Sequence, residues 1–228
     1  MDEGIDPRRV YIFGRGVDLE LFRPERRSRL TRRKLGGSDA TVVLYVGRLS
    51  PEKGLPLLAE AFRRVSAERP DLALALVGEG PGRPALERAL AGTRHRFLGP
   101  LRGEALAAAY ASADVFCLPS STETFGQVVQ EAGASGMPAV VLDRGAARES
   151  VEDRITGLVV PAGDADALAE ALGRLADDPA LRAALGGAAR RAAAARRSWD
   201  EVFDELLAGY ARLGGPRPGD PLTQRAPA

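Results

Sequence analysis

The stretch "TVVLYVGRLSPEKGLPLLAEAFRRVSAERPDLALALVG", residues 41–78, holds a complete strand, loop, helix and strand. Its ends, TVVLYVG and LALALVG, are short unbroken apolar runs, the pattern of strands buried on both faces. Between them Leu57, Leu58, Ala61, Phe62 and Val65 fall on one stripe of an amphipathic helix. DVFCLP (114–119), PAVVL (138–142) and GLVVP (157–161) repeat the strand pattern, and HRFLG (95–99) is a shorter sixth candidate. Leu86, Ala89 and Leu90 mark a further helix, and Leu106, Ala109 and Tyr110 another. Strands alternating with helices across short Gly/Pro connections predict an α/β doubly wound parallel sheet.

The remainder differs in character. From Asp164 to about Leu213 the chain reads as three helices packed outside the sheet. They break at DDPA and at RRSWDE, where Ser198 is placed to cap the last. Residues 214–228 have the Pro/Gly content of a disordered tail. Residues 23–34, RPERRSRLTRRK, carry seven basic side chains and one acid. Such a run reads as a solvated linker or helix face, with an anion or membrane-surface contact as the alternative. The expected organisation is an interdomain segment and basic linker (1–40), a sheet domain with its C-terminal helices (41–213) and the tail.

Composition narrows the chemistry. With 228 residues, 45% of them hydrophobic, the chain is long enough to bury a core without disulfides or metal. Cys117 is the lone cysteine and lies inside an apolar run, where a buried structural thiol and a reducing, cytoplasmic setting are expected. His95 is the lone histidine, so neither a histidine metal cluster nor a serine or cysteine triad can be assembled within the chain. A formal net charge of +1 supplies no field for nucleic acid. The N-terminus is too acidic for a signal peptide, and no apolar run approaches a membrane span.

In doubly wound sheets ligands sit beyond the carboxyl ends of the strands. Four loops fall there. GRLSPEKG (47–54) allows a tight turn at Gly47 and sets Arg48 and Lys53 at the mouth of a helix, a combination suited to a diphosphate. Taken alone, it reads equally as a helix start with surface charges; it matches neither a Walker loop nor a G-x-G-x-x-G fingerprint. The glycines of GEGPG (78–82) read as a tight turn more than a ligand contact, and FLGPLRG (97–103) offers main chain around Gly99–Leu101 to a planar base.

The fourth loop, PSSTETFGQVVQEAGASGMP (119–138), sets Glu123 and Glu131 eight positions apart. Were the span helical throughout, the carboxylates would stand about 12 Å apart along the axis. That exceeds the roughly 5–9.5 Å of glycosidase acid pairs and suits two ends of one extended, hydroxyl-bearing ligand. The competing reading makes Glu131 a helix residue at the core rim and Glu123 a first-turn acid facing the helix dipole.

Taken in order, GRLSPEKG, LVGEGP, FLGPL, LPSSTETFGQVVQEAGASGMPAVV and TGLVVPAGD resemble the C-terminal half of retaining glycosyltransferases of family 4, which have the GT-B fold. The likeness runs from about Gly14 to Leu213 and is most specific at E-x7-E followed by G-x-P: Glu123, Glu131, Gly136 and Pro138. It implies a Rossmann-like donor-binding domain with a nucleotide sugar, GDP- or UDP-linked, as co-substrate, and no cofactor or metal. By position it implies catalytic roles for Arg48, Lys53 and Glu123. Donor contacts would come from Gly47, Arg48, Lys53, Leu101, Glu123, Thr124, Phe125, Gly126, Gln127 and Glu131. Arg48 and Lys53 would hold the diphosphate, Glu123 the sugar hydroxyls, Glu131 the ribose and the backbone near Leu101 the base. The nearest likeness is to GDP-mannose-dependent α-mannosyltransferases, with UDP-sugar enzymes similar in this segment.

Two departures accompany the resemblance. Where the family often has GGxxE, this chain has RGAARES, with Ala146 at the second glycine, so Glu149 carries over less directly. Nothing in the chain corresponds to the family's N-terminal acceptor domain, which is expected as a partner in cis or in trans. Without it the domain is expected to bind donor but turn over little, and a non-catalytic interaction module is the rival reading. Peripheral membrane contact would belong to the whole enzyme.

Overall fold

The computed structural model describes residues 15–196 and 198–212. All six expected strands form: β1 (Thr41–Val46), β2 (Leu72–Val77), β3 (His95–Gly99), β4 (Val115–Leu118), β5 (Ala139–Leu142) and β6 (Gly157–Val160). They make one parallel sheet in the order β3-β2-β1-β4-β5-β6. β2 is buried at every position and β1 at all but its first, which is why both read as continuous apolar runs. β3 lies at the edge with no buried position, half-buried except at exposed Arg96, which accounts for its weaker signal.

The helices are α1 (Arg29–Leu35), α2 (Leu55–Glu68), α3 (Arg83–Ala89), α4 (Gly103–Ser112), α5 (Gln127–Ala134), α6 (Ala165–Asp177), α7 (Pro179–Ala194) and α8 (Trp199–Arg212). The α2 stripe points inward, with Leu58, Ala61, Phe62 and Val65 buried beside Leu55 and Ala59. α6 packs on α2, and α7 on α5. Asp178 separates α6 from α7 by capping the latter, its carboxylate accepting from Leu181 N–H at 2.8 Å, while Pro179 opens the new helix.

Residues 18–195 form one compact unit, and α8 belongs to a second. In the second, Ser198 caps α8 as expected. Its Oγ accepts from Glu201 N–H at 3.2 Å, and the Glu201 carboxylate accepts from Ser198 N–H at 2.7 Å, a reciprocal capping box. The expected disordered tail, 214–228, lies outside the described residues.

The basic run 23–34 folds as a 3₁₀ turn (Pro24–Arg26) and α1. Arg29, Arg33 and Lys34 face solvent, whereas Arg32 reaches inward to Asp114 at 2.6 Å and to the Ser112 carbonyl at 2.8 Å. Asp114 also accepts from Val42 N–H at 2.7 Å, tying the start of β4 to β1. Both partners of the Arg32 pair are nearly enclosed, so Asp114→Ala leaves the Arg32 charge without its anion and the Val42 N–H without its acceptor. The expected cost is about 2–3 kcal/mol, seen as a lower urea midpoint at unchanged m value.

The strand order positions the site. The chain builds outward from β1 through β2 to β3, then crosses back to lay β4 beside β1 and continues through β5 to β6. Beyond the carboxyl ends of β1 and β4 the connections part in opposite directions, opening the crevice in which such sheets bind ligands.

Candidate functional site

Two loops flank that crevice, residues 47–54 after β1 and 119–126 after β4, and they are joined side chain to side chain. Lys53 Nζ lies 3.0 Å from Glu123 Oε2, with both side chains only about a fifth exposed (24% and 20%). Thr122 Oγ1 donates to the Glu52 carbonyl at 3.1 Å. Glu123 is also held through its backbone, its carbonyl accepting from Ala146 N–H at 3.1 Å. The RGAARES segment, despite lacking the second glycine, therefore supplies a main-chain tether to the first acid; its Glu149 is exposed.

Arg48 lies on the outer side of its loop. Its guanidinium meets Glu52 at 3.1 Å and the Ser50 hydroxyl at 3.3 Å. Ser50 in turn donates to Glu52 at 2.6 Å, which, with the Arg48 and Lys53 charges as lesser causes, holds that carboxyl below its usual range. From below, the buried Tyr45 hydroxyl donates to the Arg48 carbonyl at 2.9 Å. Burial, followed by the negative charge of Glu123, drives the Tyr45 hydroxyl well above the usual phenol range, so it remains a donor. Cys117, one strand away, is buried and its thiol is pushed up to about 12 by that burial, consistent with the structural role expected of it.

Glu123 does not stand in the first turn of a helix. α5 begins at Gln127, four residues later, with Gly126 at its N-cap, so the stretch from 119 to 126 is loop and the 12 Å axial separation does not apply. Thr124 and Phe125 are exposed and Gly126 is buried. Glu131 sits one turn into α5, half-buried at the rim of the core. Burial raises its carboxyl to about 7; the Tyr110 hydroxyl on α4 acts in the opposite direction.

The other two loops lie farther along the same edge. Gly78 N–H donates to Gly99 O at 2.9 Å, and Leu49 N–H to Glu79 O at 2.8 Å, so the 78–82 loop is stitched to its neighbours on both sides. Half-buried Leu101 occupies the short connection between β3 and α4. Gly47, Arg48, Lys53, Leu101, Glu123, Thr124, Phe125, Gly126 and Gln127 thus all lie in loops or a helix start beyond the carboxyl ends of β1, β3 and β4, with Glu131 inside α5. Among the described residues no three His, Cys, Asp or Glu side chains converge as metal ligands.

Sequence reasoning missed Tyr45, Thr122, Ala146 and Tyr110. Tyr45 and Tyr110 did leave a signal, each a hydroxyl-bearing ring set among mostly aliphatic residues, and each is itself fully buried. Thr122 and the Ala146 N–H act through contacts between distant loops and left none.

A six-stranded parallel sheet in this order, with cations and carboxylates gathered at its switch point, is a Rossmann-like domain. The chain belongs to the glycosyl transferases group 1 family, whose model matches residues 28–192. It is 44% identical over 210 residues to a GDP-mannose-dependent alpha-mannosyltransferase of Mycolicibacterium smegmatis, covering 92% of this chain and 53% of that protein. A D-inositol 3-phosphate glycosyltransferase of Geodermatophilus obscurus is 39% identical over 221 residues, covering 91% and 48%. Among solved structures, HepE of Anabaena in complex with UDP and glucose superposes with a TM-score of 0.79 at 25% identity, over 88% of this chain and 56% of that one. The sucrose-phosphate synthase of Thermosynechococcus elongatus gives 0.75 at 32% identity, over 87% and 51%. The chain spans about half the length of the relatives it matches, and these structures bear out the expected half of a GT-B fold.

Proposed function

We propose that this domain binds the nucleotide-sugar donor of a retaining hexosyltransferase, with GDP-mannose as the donor and a lipid or glycan as the acceptor. The observation that carries the reading is the Lys53–Glu123 pair across the β1/β4 crevice. It puts an anion-binding cation and a hydroxyl-binding carboxylate in contact, as a diphosphate joined to a sugar requires. In this reading the diphosphate takes Lys53 and Arg48 from their carboxylate partners, and the same two charges stabilise the departing nucleoside diphosphate. Glu123, freed by that exchange, accepts from the sugar hydroxyls beside the main chain of Thr124, Phe125, Gly126 and Gln127. Glu131 accepts from the ribose, while Gly47 and the backbone at Leu101 line the diphosphate and the base. The acceptor is bound by a second domain, in cis or in trans.

GDP-mannose is preferred because relatives covering nearly all of this chain carry that donor in their names. A UDP-sugar is the second reading, favoured by the likeness to HepE, solved with UDP and glucose. Thermal unfolding with GDP, UDP and ADP at millimolar concentration separates the two, since a ligand bound only by the native state raises the melting temperature. GDP is expected to give the largest rise; a larger rise with UDP reverses the donor assignment, and no rise with any of the three defeats the reading. Arg48, two-thirds exposed at 67%, is expected to contribute less than Lys53: Arg48→Ala should weaken GDP about tenfold, by calorimetric titration.

A further inference from the structure

Tyr110 lies in the last turns of α4 with no exposed surface, edge-on to Phe22 and tilted on Phe116, each at 5.7 Å between ring centres. Its hydroxyl makes no hydrogen bond of proper geometry, although buried phenols nearly always have a partner. As a space-filler, phenylalanine would serve better, because it buries the same ring without stripping water from a hydroxyl. The group that this hydroxyl faces is the carboxyl of Glu131, across the contact between α4 and α5.

We propose that Tyr110 is a positioning residue for Glu131, its hydroxyl closing onto the Glu131 carboxyl as that group ionises, the form that accepts hydroxyls of the bound nucleotide. The inference rests on the donor-binding reading above. A protonated carboxyl would compete as a donor, so the ribose diol needs the ionised form, and a buried phenol donor favours that form. Burial raises the Glu131 carboxyl to about 7, so in the empty domain protonated and ionised forms coexist near neutral pH. Nucleotide therefore releases a proton, and affinity rises with pH through this range. The charged groups on neighbouring elements are committed elsewhere. Arg190 of α7 bonds the Phe22 and Ala134 carbonyls, Arg148 of the 146–150 turn bonds the Val151 carbonyl, and Glu104 of α4 pairs with Arg26. Glu149 of the same turn is exposed; burial raises the Glu131 carboxyl and the Tyr110 hydroxyl opposes that rise.

The test is Tyr110→Phe, a change that removes one oxygen and preserves the ring. Calorimetric titration of GDP from pH 5.5 to 9 is expected to show about tenfold weaker binding near pH 6.5. The deficit should shrink as pH rises and the pH midpoint of binding should move upward. A loss equal at all pH values, or no loss, overturns the proposal by reducing Tyr110 to packing. Glu131→Gln should abolish the pH dependence of the Tyr110→Phe effect. Carboxyl carbon-13 NMR titration of Glu131 in the empty domain gives a readout that needs no nucleotide: its midpoint is expected to rise in Tyr110→Phe, and an unchanged midpoint overturns the proposal. Failure of GDP to bind the unaltered domain would instead defeat the donor reading.

Discussion

Gly54→Ala is expected to lower stability by about 3 kcal/mol and to abolish nucleotide binding. Gly54 has φ +71°, and a Cβ placed there would lie 1.7 Å from the Pro119 carbonyl oxygen. Left-handed backbone costs a side-chain-bearing residue about 1–2 kcal/mol, and forced overpacking adds about 1–3 kcal/mol. The obstacle is main chain, so no rotamer change relieves it. The two segments that must part are the one carrying Lys53 and the one leading to Glu123, so loss of stability and loss of the site share one cause. Urea unfolding and a GDP titration on the same sample check both. A variant with unchanged midpoint and unchanged affinity would show that the loops need not touch.

Lys53→Met should weaken GDP by at least about thirtyfold, because a charge-assisted contact to phosphate is worth roughly 2 kcal/mol or more in a partly desolvated site. It also strands Glu123, four-fifths enclosed, without its cation. The opposite change separates the two halves of the ligand. Glu123→Gln removes the internal anion with which the diphosphate competes for Lys53, so GDP should bind about threefold more tightly. The same variant should lose the extra affinity of GDP-mannose over GDP, because an amide accepts sugar hydroxyls less well than a carboxylate. Parallel titrations of GDP and GDP-mannose read this crossing. If Glu123→Gln weakened both ligands alike, the ion pair would be a fixed element of the site and no competitor of the diphosphate.

Much of the fold was legible because the sheet is parallel and covered on both faces. β1, β2, β4 and β5 need apolar residues at nearly every position, and such runs stand out against the helical stripes between them. Helix ends with local chemistry were equally plain, as the reciprocal Ser198–Glu201 bonds show. The glycines of GEGPG were visible as a turn, but their reason was not. A Cβ on Gly78 would stand 1.9 Å from the Gly47 carbonyl, so this loop serves the neighbouring site loop by staying thin.

The site was legible as a set of residues and opaque as an arrangement. Loop order pointed to Lys53 and Glu123, yet nothing local pairs two side chains 70 positions apart. Spacing placed Glu131 on a helix correctly, but the same spacing, extended as a helix back to Glu123, gave a separation that the loop removes. The unpartnered Tyr110 hydroxyl emerges only when α4 is laid against α5.

The central claim, that the β1/β4 crevice holds a nucleotide sugar through the Lys53 and Glu123 loops, is tested most directly by titrating GDP-mannose into the unaltered domain by calorimetry. One site per chain is predicted, tighter than GDP alone and lost in Lys53→Met. Absence of binding heat at millimolar nucleotide, or binding that survives Lys53→Met undiminished, would contradict it.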